Sequence, residues 1–267
     1  MHLNFAFSTV QILWTLTFAA LLVLLVVLLG RERTSRFPLF TTSITLTALS
    51  LLTARLLYGR LPQLTVAGVS IVLADLSSIV SLLVLVEMAR HAFGRATRTA
   101  WIAGTATLLA AGAVVLATWG QWPSFKTLTP NTPIAALGLL QLIAEKLGLL
   151  GNVLAVCLGL LVVLLGARFG AGWRSHVQRI TIGLSVASLA QVGVQAIWQI
   201  IAQHTTPHSL EEYQRVMGMK EKLINANSTV YIVVAVWWII CLWTDEPVST
   251  PTATEAAGAA PPADMQA

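Results

Sequence analysis

The stretch TVQILWTLTFAALLVLLVVLLG, residues 9–30, is followed at once by Arg31-Glu32-Arg33. A helix that crosses a bilayer core of roughly 30 Å needs about 20 predominantly apolar residues. This run is that long and holds no charged side chain. No lysine or arginine precedes it, and no small-x-small cleavage site ends it. Both features distinguish it from a signal peptide and predict a retained first helix with its N-terminus outside.

Six further runs of the same kind follow, at about 39–58, 64–89, 100–119, 137–167, 179–202 and 223–243. The composition agrees: 56% of residues are hydrophobic, 10% are charged, and the mean hydropathy is +0.78. A soluble domain carries roughly 25% charged residues, so this set cannot build a water-facing surface. A soluble enzyme, a nucleic-acid-binding module and a disordered protein are thereby excluded. The predicted fold class is all-α: a polytopic bundle of seven transmembrane helices in the cell membrane, the inner membrane if the source is bacterial.

Basic residues set the orientation. The loops after the first, third and fifth runs hold Arg31, Arg33 and Arg36, then Arg90, Arg95 and Arg98, then Arg168, Arg174 and Arg179. The alternate loops hold Arg60, then Lys126, then Arg215, Lys220 and Lys222. The richer side is expected to be cytoplasmic, which puts the N-terminus outside and the C-terminus inside. It also accounts for the net charge of +5 and pI near 9.7 without any nucleic-acid partner. Residues 1–243 form the transmembrane domain on this reading. The Ala-, Pro- and Thr-rich segment 244–267 is expected to be a disordered cytoplasmic tail. It contains no output domain, so signalling would need a separate cytoplasmic partner.

Two outer segments stand out. The fifth run would make about 50 Å of helix at roughly 1.5 Å per residue. Its crossing is placed at about 147–167, with residues 134–146, including Glu145 and Lys146, at the outer interface. Trp119, Trp122 and Phe125 precede it as expected interfacial anchors. Between the sixth and seventh runs, Ser209 and Glu212 have capping-box spacing. They predict a short amphipathic helix bearing Leu210, Tyr213 and Met217 on one face, either lying on the membrane or running into the last helix.

The heptamer LLVVLLG at Leu24–Gly30 recurs at Leu160–Gly166, and the same offset carries Ile44-Thr45-Leu46 onto Ile180-Thr181-Ile182. This suggests a parallel duplication, with helices 1–3 and 5–7 as copies and helix 4 as the inverting linker, an arrangement found in some transporters. Leucine and valine are so common here that the match is cheap, and no family motif accompanies it.

Polar groups inside apolar spans face the bundle interior, pair or snorkel. Asp75 lies mid-span in the third run and Arg55 in the outer part of the second. Side chains lean toward their own helix N-terminus, so these two lean toward each other, as an ion pair or a binding pair. Gln191, Gln195, Gln199 and Gln203 recur every fourth residue, forming one polar stripe that hydrocarbon cannot satisfy. Asn225, Asn227, Ser228 and Tyr231 join them from the seventh run, and Asn152 from the fifth. The candidate ligand-binding set is therefore Arg55, Asp75, Asn152, Gln191, Gln195, Gln199, Asn225, Asn227 and Tyr231, around an outward-opening cavity for a small molecule. Interhelical hydrogen bonding, at about 0.6–2 kcal/mol per contact, is the structural alternative.

No P-loop, nucleophile elbow, HExxH or paired cysteine motif occurs. Cys157 and Cys241 read as buried thiols. No lysine sits mid-span for retinal, and the five histidines lie at termini or loops, away from intramembrane haem geometry. His204 and His208 with Glu211 and Glu212 are a weak metal pattern. No catalytic residue, metal or cofactor is expected, and the chain leans away from an enzyme. Three roles remain: a small-ligand sensing or binding module acting on a cytoplasmic protein, a small-solute transporter with a 3+1+3 helix repeat, or a non-catalytic subunit of a membrane complex.

Overall fold

The computed structural model describes residues 8–57, 59–93, 98–119, 132–165, 175–205 and 209–245. Among these the chain is all helical: α1 (Thr9–Gly30), α2 (Pro38–Leu57), α3 (Gln63–Phe93), α4 (Arg98–Thr118), α5 (Pro133–Leu165), α6 (His176–His204) and α7 (Leu210–Trp243). Six of them are long and apolar enough to cross a membrane; the apolar stretch described in α4 is the shorter Gly104–Thr118. The chain has the architecture of a multi-pass membrane protein.

The helix ends follow from local chemistry. The first N–H groups of a helix have no partner within it. Ser8 and Gln11 supply a reciprocal capping box for α1, and Ser175 accepts from Gln178 N at the start of α6. Ser209 does the same for Glu212 N, and the helix it starts runs unbroken to Trp243. The amphipathic segment is thus the first part of α7. Likewise residues 133–146 continue straight into the rest of α5. The α2 start differs, because Phe37 before Pro38 offers no side-chain oxygen. Its cap comes from α3: the buried Glu87 carboxylate accepts from Leu39 N at 3.1 Å and Phe40 N at 2.9 Å.

Contacts fix the relative directions. On α3 and α5, Gly68 neighbours Leu137, Ser78 neighbours Gly148, and Leu82 neighbours Gly151, so these helices are parallel. Gly112 of α4 abuts Leu150 and Leu154, while the Lys146 ammonium reaches the Trp119 carbonyl, so α4 runs antiparallel to α5. α1 and α7 are parallel and latched at their C-terminal ends, where Arg31 stacks over Trp243 and Asp245 meets Arg31 and Arg33. Arg179 at the start of α6 donates to the Cys241 carbonyl, satisfying an orphan acceptor of α7. One end of the bundle therefore gathers Arg31, Arg33, Glu87, Arg90 and Arg179.

Neighbouring helices close a ring in the order α1, α2, α3, α5, α6, α7 and back to α1, with α4 outside against α5. The packed core lies toward the arginine end. On the six ring helices, apart from Val216, burial stops at the level of Leu21, Ala48, Val80, Leu149, Ser188 and Val234. Beyond it, Val216 aside, the residues of the ring helices whose burial is described are only half-buried or exposed.

Candidate functional site

Between that core and the loosely packed end lies a partly open cavity of about 410 Å³. That is within the range of small-molecule sites. Five helices line it: α2 with Ser43 and Thr47, α3 with Ser77, Ser78 and Ser81, α5 with Gly148, Gly151 and Asn152, α6 with Ser188 and Gln191, and α7 with Asn227 and Tyr231. Phe40, Val84, Leu85 and Trp238 complete its wall on the arginine side. No Asp, Glu, Lys, Arg or His belongs to the lining.

The aromatic floor is held rigidly. The Trp238 indole N–H donates to the Ile180 carbonyl at 3.3 Å. Phe40 and Tyr231 meet Trp238 edge-on, with centroids 5.2 and 6.5 Å away. Gly183 makes room for the indole: a Cβ there would collide with Trp238 Nε1 and lie 2.7 Å from Cε2.

Four residues of the expected set line the cavity together: Asn152, Gln191, Asn227 and Tyr231. Asn227 Nδ2 donates to Gln191 Oε1 at 2.6 Å, which joins α6 to α7. Tyr231 of α7 and Thr47 of α2 line the same stretch of the cavity. Gln195, Gln199 and Asn225 are half-buried and lie beyond the lining, toward the loosely packed end.

Arg55 and Asp75 are not brought together. Arg55 is exposed and its guanidinium sits 6.0 Å above the Trp14 ring of α1. Asp75 follows Ala74 of the lining but stays outside it, with Oδ1 buried and without a hydrogen-bond partner. The expected pair fails on helical phase. In the ring, α1 and α3 flank α2 on opposite sides, and Arg55 belongs to the α1 side.

Sequence reasoning missed the serines and the aromatic floor. The available signal was the SSIVS segment of α3, because positions i, i+1 and i+4 share one helical side. His208 of the weak metal pattern lies outside the described residues, as do Arg95, Arg168, Arg174 and residues 246–267. Among the described residues no group of three metal-ligating side chains comes together.

No family model, no curated protein and no solved structure matches this chain.

Proposed function

We propose that the chain is a seven-crossing membrane protein of the cell membrane that binds a small molecule in its central cavity and passes occupancy to a cytoplasmic protein. The observation that carries this reading is the cavity itself: five helices converge on a charge-free space whose mainly apolar wall carries hydroxyl and amide groups above an aromatic floor. α4 supplies the seventh crossing. Parallel α3 and α5 need a return path, and α4 runs antiparallel to α5. The arginine end faces the cytoplasm under the positive-inside rule, so the cavity opens outward. The same end holds the contacts α1–α7 and α6–α7, where a shift of α7 on ligand binding would reach a partner.

The test is thermal unfolding of the purified full chain against a library of small solutes. A ligand confined to the folded state stabilises by about 2.7 kcal/mol at one hundred times its Kd. The expected result is a saturable stabiliser whose effect is lost in Asn152→Leu and Asn227→Leu. Stabilisers that act equally on both variants would place binding elsewhere and contradict the reading.

A specific observation favours a second reading. The heptamer at Leu24–Gly30 recurs at Leu160–Gly166, which suits a carrier built from a parallel repeat. Uptake of the stabilising solute into proteoliposomes, abolished by Asn227→Leu, would replace the binding module with a carrier.

A further inference from the structure

We infer that the cavity takes an uncharged, polyhydroxylated small molecule of about the size of a hexose. This rests on the cavity being a binding site and names the chemistry of what fills it. The first support is the missing charge. An ion brought into this space would lose its hydration shell with no counter-ion in the wall. An uncharged molecule avoids that cost.

The second support is what the cavity serines are not doing. A serine or threonine inside an apolar helix commonly donates to the carbonyl four residues earlier. Thr17, Thr41, Thr47, Ser50 and Thr181 all do so here, at 2.7–2.9 Å. The cavity residues Ser43, Ser77, Ser78, Ser81, Asn152 and Ser188 make no side-chain hydrogen bond among the described residues. None of their polar atoms is among the buried, unsatisfied ones, so they face open space. They present hydroxyl and amide groups that both donate and accept. A polyol offers the same dual character and can satisfy such groups one for one.

The third support is size and shape. A space of about 410 Å³ lies within the range of small-molecule sites and admits a molecule of hexose size. The Trp238 and Phe40 floor gives the C–H side of such a molecule an apolar surface.

The experiment is calorimetric titration of the full chain in detergent with matched six-carbon probes: glucose and sorbitol uncharged, gluconate anionic, glucosamine cationic. The expected result is saturable binding of an uncharged probe, at least tenfold tighter than either charged analogue. Ser77→Ala and Ser81→Ala should each weaken it threefold or more with an unchanged melting temperature; Asn152→Leu should abolish it. If a charged analogue binds as tightly, with the same loss in Asn152→Leu, the ligand class is overturned and the cavity still binds. If no probe binds, the class is overturned too, and the library screen with its cavity variants decides separately whether the cavity binds anything.

Discussion

Glu87 and Asp75 are acids of one helix in opposite circumstances. Glu87 has lost its water and gained two backbone N–H groups of α2. Hydrogen bonds to a charged group contribute about 1.5–3 kcal/mol, and a buried donor left alone costs a similar amount. Glu87→Ala is therefore expected to destabilise the bundle by about 1–3 kcal/mol, read from thermal unfolding. An unchanged melting temperature would contradict the cap. Asp75 has no such partner. A double-mutant cycle of Arg55→Ala and Asp75→Asn should give a coupling below about 0.5 kcal/mol; a coupling above about 1 kcal/mol would restore the ion pair. The sequence marked Asp75 as unusual but gave it the wrong partner, Arg55, because partner choice depends on helical phase across two elements. The amides at Gln191 and Asn227 were legible because their polarity is conspicuous in an apolar run. The serines were not, since a serine in such a run can satisfy itself locally.

The helices themselves were legible nearly end to end, because a continuous apolar run has one stable form in lipid. One boundary was left open: the helix starting at Ser209 was read as lying on the membrane or running into the last helix, and it runs into it, because helix propagation continues where no proline breaks it. Within α6, two glycines make opposite predictions. Gly183→Ala pushes a methyl into Trp238 and is expected to cost about 1–3 kcal/mol and to disturb the cavity floor. At Gly193 a Cβ would meet nothing within 4 Å, so Gly193→Ala is expected to be neutral or to stabilise by up to about 1 kcal/mol. Thermal unfolding of the two variants reads the difference, and equal effects at the two sites would contradict the seat described for Trp238.

At the scale of the whole molecule, the packed core and the arginines share one end, and the cavity lies next to the half-packed remainder. The order of helices around the ring was not legible in the sequence. Ion pairs at the arginine end are surface contacts: Asp245 is 74% exposed, and such pairs contribute about 0–1 kcal/mol. Asp245→Asn should leave stability within that range and leave ligand binding unaltered. The central claim is that the cavity opens to the side away from the arginines. The most direct measurement places a single cysteine at Gln195 in a Cys157→Ser, Cys241→Ser background and labels it in sealed, oriented vesicles with a membrane-impermeant thiol reagent. Labelling from the side opposite the arginine-bearing ends is the predicted result; labelling solely from the arginine side, or complete protection from both sides in a folded protein, would contradict it.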